Sequence, residues 1–423
     1  MLTHEENALL CSVEGDAPMG QIMRRHWIPA LLSEEIPVAD GEPVPVRLLG
    51  EDLVAWRDTG GRAGLMGRYC PHRRASLVLG RNENGGLRCL YHGWKMDVLG
   101  NLTEMPSEPT SAGMISKVRH KAYATREHGG IVWAWMGPES EMRPFQPPAF
   151  APTPEASVSI AKIHIDCNWA QVLEGNIDSA HSSSLHSSEI QPGNVTRSGM
   201  SASGITQRPS TDKAPRIQID PTPWGFRYAA LRRPIKDAAH NDYVRITAYI
   251  APFTVLIPPN SQYNVASLSI PVDDSHTSFY FIAWHPEAGK GLTKQFWRHR
   301  LAAEVGVDMD KRYVKTRNAD NNFLQDRAAM KSGSFTGIQG IPNQDIAMWE
   351  TMGPIADRSR ELLGASDVAV VNFRRVMVDA AKAWQRGEPA IGAELEGSSI
   401  ACIRSFEGVV SKDLRWQTLA PAE

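Results

Sequence analysis

The segments that most constrain this chain are Cys70-Pro71-His72 and, after sixteen intervening residues, Cys89-Leu90-Tyr91-His92. Each offers one thiolate and one imidazole within a tight turn. The joining stretch contains Gly85-Gly86, which permits a reversal; Pro71 stiffens the first turn and Gly93 follows the second pair. Zinc knuckles usually pair cysteine with cysteine and histidine with histidine, whereas both knuckles here are mixed. That suits a two-iron, two-sulfur cluster with non-equivalent irons, Cys70 and Cys89 on one and His72 and His92 on the other. Two neutral imidazoles in place of thiolates make such a cluster less negative and raise its potential.

A second constellation reads Glu174-Gly-Asn-Ile-Asp178-Ser-Ala-His181-Ser-Ser-Ser-Leu-His186. The pattern predicts a helix to about His186, with Asp178 and His181 three apart on one face. His186 follows by five, so it meets the same point only if the helix loosens, which Ser182-Ser183-Ser184 makes plausible. Two histidines and a carboxylate on one side of an iron leave positions open for oxygen chemistry. The carboxylate need not be local. Asp345, in IQGIPNQDIAMWE, is the best distant candidate, although Asn343 and Asp345 also suit helix caps.

With 423 residues the chain has room for two or three domains. Apolar residues at 42% and charged residues at 22% fit a globular protein, and a net charge of −2 argues against binding driven by nucleic-acid or membrane charge. The N-terminus, MLTHEENALLCSVEGD, has no apolar core of signal-peptide type, and no stretch approaches membrane-spanning length, so a cytoplasmic location is expected. Five scattered cysteines do not make a disulfide framework; Cys11, Cys167 and Cys402 read as ordinary thiols.

Short strands separated by glycine-rich turns predict an all-β domain within residues 1–140. Proline-rich 141–153 is the linker candidate, and 154–423 form a second domain with alternating strands over 225–285 and helices over 291–332. Its last helix carries Val370, Phe373, Met377, Ala380 and Trp384 at helical spacing, with Ser366 as a cap and Gly387 as the stop. His164 alternates with apolar neighbours and reads as a strand residue. The class is α+β.

CPHRRASL…CLYHGW closely resembles the cluster motif of Rieske non-haem iron oxygenases, with Arg73, Arg74 and Trp94 fitting as supporting residues. Residues 168–186 resemble the mononuclear-iron motif of the ring-hydroxylating members, and NQDIAMWETMGPIADRSRELLGASD resembles a C-terminal block of the one-subunit, phthalate-type branch. The resemblance implies an N-terminal Rieske [2Fe-2S] domain followed by a helix-grip (START-like) catalytic domain with an antiparallel sheet. It implies His181, His186 and Asp345 as ligands of a mononuclear non-haem Fe(II). It places Asp178 between His181 and a Rieske histidine, His92 or His72, of a neighbouring subunit in a homotrimer or stacked hexamer. The implied activity is O2-dependent cis-dihydroxylation of an aromatic carboxylic acid, phthalate first. Isophthalate, another substituted benzoate, or O-demethylation by monooxygenation are alternatives. The chain has no nucleotide fingerprint after a strand, so NADH electrons would arrive through a separate flavin and iron–sulfur reductase.

An aromatic dicarboxylate calls for arginine forks in an apolar pocket. Arg208 and Arg245 are the chosen candidates, with Arg227, Arg232 and Arg233 ranked lower. Two other classes compete: a non-catalytic Rieske electron carrier, which leaves His181, His186 and Asp345 unexplained, and a colourless zinc-stabilised binding protein.

Overall fold

The computed structural model describes residues 1–109, 112–193, 206–258, 263–393 and 400–420. The chain divides into two compact units, one of residues 13–145 and one of residues 1–12 with 146–423.

The smaller unit is built of short antiparallel strands in three sheets. One of them, in order Arg81–Glu83, Gly86–Arg88, Lys95–Met96 and Leu102–Glu104, carries the metal-binding candidates between and beside its strands. The reversal sits at Asn84-Gly85, both with positive φ (49° and 76°), as a two-residue hairpin with this chemistry requires. Val54, Trp56, Met66, Leu77, Leu87 and Met96 form the core on which Cys70 and Cys89 lie.

The larger unit is organised by an eight-stranded antiparallel sheet. From the edge strand Ser157–Ile165 the order is Thr277–His285, Asn264–Pro271, Thr254–Ile257, Asn241–Ile250, Gly225–Arg232 and Arg216–Thr222. Phe406–Ser411 pairs with the first part of Asn241–Ile250. His164 lies in the edge strand, as its alternation suggests. The helix Trp169–Ile177 starts at Asn168, whose side chain accepts the Ala170 N–H at 3.0 Å. A long helix, Val368–Gln385, closes the unit. Its N-cap position is Asp367, one residue beyond the expected Ser366, because a 3-10 turn over Ala365–Asp367 runs straight into it; Gly387 (φ 84°) ends it as expected.

Three local expectations change. The first twelve residues, read from the sequence as an extension of the first domain, pack with the second unit. Their helix His4–Cys11 is tied to the long helix by Lys382 and Glu6 (2.9 Å), and Asn7 donates to Ala356 O (3.0 Å). Residues 291–332 are less helical than expected, with helices only at Lys294–Arg300 and Arg327–Lys331 and a kinked 3-10 stretch at Ala319–Leu324. The helix expected to reach His186 stops at Ile177. Asp178 is extended (ψ 115°), and its Oδ1 accepts the Ala180 N–H at 2.7 Å, so a side-chain-capped turn replaces the next helical turn. Tyr228 Oη donates to the Ile177 carbonyl and satisfies the helix end. Among the described residues no helix is long and apolar enough to cross a membrane.

Candidate metal centres and cavity

The two Cys/His knuckles are the same turn used twice. Cys70 N–H donates to Ala75 O (2.9 Å) and Cys70 O accepts from Arg74 N–H (2.9 Å); Cys89 N–H donates to Trp94 O (2.8 Å) and Cys89 O accepts from Gly93 N–H (3.0 Å). Both fourth-following residues, Arg74 (φ 62°) and Gly93 (φ 76°), are left-handed, the conformation that closes each turn. The knuckles therefore face each other, with the His72 and His92 ring centroids 4.5 Å apart. Trp94 stacks on His72 at 4.5 Å and 5°, while Arg73 lies over Tyr91 (5.3 Å) and Arg74 over Tyr69 (4.8 Å).

Two observations test whether these residues suit an iron–sulfur cluster. His72 Nδ1 is buried with no hydrogen-bond partner, a cost that a metal bond removes. Burial, reinforced by the neighbouring Cys89 thiol, pushes the Cys70 thiol up to about 11, so a metal is needed to hold it as a thiolate at neutral pH. Among the described residues, three or more His, Cys, Asp or Glu donors come within 4.8 Å of one another only at His181/His186/Asp345 and at His164/Asp166/His276.

The second centre is assembled from three elements. His181 opens a 3-10 turn, His181–Ser183, and His186 follows it. Asp345 lies inside the helix Ile341–Thr351. That helix approaches the Trp169 helix closely because residue 175 is glycine; a Cβ there would lie 2.3 Å from the Trp349 indole nitrogen. Gln171 bridges the two helices by donating to Trp349 O (3.1 Å) and Gly353 O (3.0 Å).

As a result, His181 Nε2 and His186 Nε2 lie 3.2 Å apart, and Asp345 Oδ1 is 3.5 Å from the first and 3.0 Å from the second. The tautomers follow from the partners. The Gln344 amide nitrogen donates to Glu189 Oε1 (2.9 Å) and Ile338 O (2.9 Å), which turns its oxygen toward His186 Nδ1 at 2.8 Å. Asp178 Oδ2 is 3.3 Å from His181 Nδ1. Both Nδ1 atoms thus donate outward, and both Nε2 lone pairs converge on the Asp345 carboxylate. Three such acceptors in contact repel one another without a cation, so this donor set fits a mononuclear metal. Burial lowers the pKa of His186, but Asp345 and Gln344 outweigh it and raise it above the ordinary imidazole value. Burial raises the pKa of Asp178, but His181 and the backbone N–H groups of Ala180 and His181 hold it below the ordinary carboxylate value.

A cavity of about 110 Å³ opens on this triad, several times the roughly 10–15 Å³ that one water needs. Phe279, Phe281, Trp297 and Val265 supply apolar wall. Arg208 and Arg245 also line it, both buried. Sheet register explains the second: Arg245 is paired across strands with Glu407, and the side chains meet at 3.2 Å. Arg208 donates to Ser183 Oγ (3.2 Å) and Ser182 Oγ (3.1 Å), hydroxyls lying between the two histidines. Arg232, on the neighbouring strand, holds Ser179 O at 2.7 Å, and burial with nearby Arg208 and Arg245 lowers its pKa to about 10. The Nε atoms of Arg208 and Arg232 are buried without a partner. By contrast, Arg227 pairs with Asp220 (2.8 Å) and Arg233 is exposed. Glu174 belongs to no metal centre; it is clamped by Arg358 and Arg374.

Gln344 was not singled out from the sequence, and Arg232 was ranked below Arg208 and Arg245. Gln344 directly precedes Asp345, yet adjacent helical positions point apart, so only the fold reveals its link to His186.

A Rieske [2Fe-2S] domain model matches residues 26–120, and a model described as LigXa C-terminal domain like matches residues 134–423. The phthalate 4,5-dioxygenase oxygenase subunit of Pseudomonas putida is 61% identical over 99% of this chain and 94% of that protein. This chain belongs to the Rieske oxygenase family. The oxygenase is also 33% identical to the 3-chlorobenzoate-3,4-dioxygenase oxygenase subunit of Comamonas testosteroni, over 99% of this chain and 98% of that one. It shares its fold with the terminal oxygenase of carbazole 1,9a-dioxygenase from Nocardioides aromaticivorans, at a TM-score of 0.59, 17% identity, and coverage of 89% of this chain and 97% of that one. Its cofactors are a [2Fe-2S] cluster and a mononuclear iron.

Proposed function

We propose that this oxygenase performs O2-dependent cis-dihydroxylation of an aromatic dicarboxylate, phthalate first among candidates, inside the cavity on the His181/His186/Asp345 triad. The observation that carries the reading is the meeting of that triad with an apolar wall and buried arginines in one cavity. The 61% identity to a phthalate 4,5-dioxygenase subunit supports it.

In this proposal Cys70, His72, Cys89 and His92 hold the cluster, and His181, His186 and Asp345 hold the mononuclear iron. When bound, the cluster supplies single electrons and the iron supplies dioxygen activation. The chain's own residues do the rest. Arg208 and Arg245 take the substrate carboxylates as charge-assisted partners, Arg208 with its free Nε edge and Arg245 beside Glu407. Phe279, Phe281 and Trp297 exclude water from the ring. Asp178 fixes the His181 tautomer and accepts in addition from His92 or His72 of a neighbouring subunit, in a trimer or stacked hexamer. The reductase is an NADH-dependent flavin and iron–sulfur protein, and the setting is cytoplasmic.

With reductase, NADH and phthalate, the expected product is a cis-dihydrodiol. Exclusive turnover of isophthalate, other benzoates or methoxylated acids, or a demethylated product, would replace phthalate dihydroxylation. Arg208→Ala should lower kcat/KM for phthalate about 10- to 100-fold, the loss of a charged hydrogen bond of roughly 1.5–3 kcal/mol, while discriminating less against monocarboxylates. An unchanged kcat/KM removes Arg208 from substrate binding. Asp178→Asn should retain both metals but slow single-turnover electron transfer at least about tenfold; a wild-type rate rejects the bridging role.

A further inference from the structure

The second converging group, His164, Asp166 and His276, shares no residue with the triad. Strand geometry produces it. His164 and Asp166 are two apart at the end of the edge strand and so share a face. Ile165 and Thr277 are the last paired positions of the ladder, which leaves Asp166 and His276 facing each other one residue beyond it.

The side chains are set as a metal site requires. His276 Nδ1 lies 2.7 Å from Asp273 Oδ1, so its N–H donates there and Nε2 keeps its lone pair. His164 Nε2 is 3.5 Å from Asp166 Oδ1, and its backbone is fixed by Tyr313 O at 2.9 Å. Burial lowers the pKa of His164, which keeps it in the neutral, ligating form. The two rings stack at 5.5 Å and 20°. Lys315 lies 3.6 Å from Asp166 Oδ2, but its charge is met by Glu350 at 2.5 Å. Two imidazoles and one carboxylate select a borderline transition metal over calcium or magnesium.

We propose that His164, Asp166 and His276 bind a divalent transition-metal ion such as Zn2+, with Asp273 orienting His276. The strands hold the donors in place beforehand, so binding orders little else.

The test uses the enzyme loaded with cluster and iron. Zn2+ is titrated by calorimetry, and zinc, iron and sulfide are counted after gel filtration. The expected result is about one zinc per subunit with iron and sulfide unchanged. His276→Ala, His164→Ala and the exposed-site variant Asp166→Asn each lose that zinc, Asp273→Asn weakens it about ten- to a hundredfold, and His181→Ala retains it. Zinc uptake only in exchange for iron overturns the proposal. So does wild-type zinc binding by Asp166→Asn together with either histidine variant.

Discussion

Asp345→Ala will leave the visible cluster spectrum intact and remove both mononuclear iron and product formation. Its Oδ1 lies 3.0 Å from His186 Nε2 and 3.5 Å from His181 Nε2, so it is the anionic member of the converging donors. The two imidazoles that remain are neutral, and an ion bound by them alone keeps its full charge in a largely buried site. Iron affinity should fall by more than the roughly ten- to a hundredfold typical of losing an outer partner. Metal analysis alongside the absorbance spectrum reads both outcomes at once. Stoichiometric iron with normal turnover would take Asp345 out of the triad.

Glu174→Ala will destabilise the larger unit by about 3–5 kcal/mol, the usual cost of leaving a buried charge uncompensated. The carboxylate accepts from Arg358 Nε (2.8 Å), Arg374 Nε (2.8 Å) and Arg374 Nη2 (3.0 Å), and Arg358 is fully buried. Arg374 retains Glu361, but Arg358 loses its carboxylate. The thermal midpoint should fall by on the order of 10 °C, followed by near-ultraviolet dichroism; an unchanged midpoint defeats the argument. The same clamp carries a pH signature. Burial raises the pKa of Glu174, but Arg358 and Arg374 outweigh it and hold it below its ordinary 4.5. The stability it contributes is therefore full above about 4.5 and is lost as acid takes the pH down through the lower folded value. The variant should lack that loss. Because Glu174 anchors the helix whose end presents Asp178, its removal should also loosen the second centre.

The two metal centres differ in how far the amino-acid order revealed them. The Cys70/His72 and Cys89/His92 knuckles are local turns, so their spacing carries almost all the information. The second centre is not local. His181 and His186 stood out as a pair, but the helix drawn through them does not exist: Asp178 captures the Ala180 N–H and the chain turns. Asp345 stood only slightly above other acids without the resemblance, since an aspartate near a helix start usually caps it. Here it sits inside a helix brought close by the Gly175–Trp349 contact. Arg245 was legible from strand alternation; Arg232, on the neighbouring strand, was ranked lower with Arg227 and Arg233, and only the fold separates it from them.

By itself the sequence determined what is written in short-range spacing: the knuckle turns, the strand and helix periodicities, and the glycine and proline breaks. It did so because those features depend on backbone preferences over a few residues. The meeting of His181 and His186 with Asp345, the Gln344 and Asp178 contacts that set their tautomers, and the arginines around the cavity were decided only by the tertiary structure. Those groups lie far apart along the chain, and sheet register and helix packing, neither encoded within any one segment, carry them to a common point.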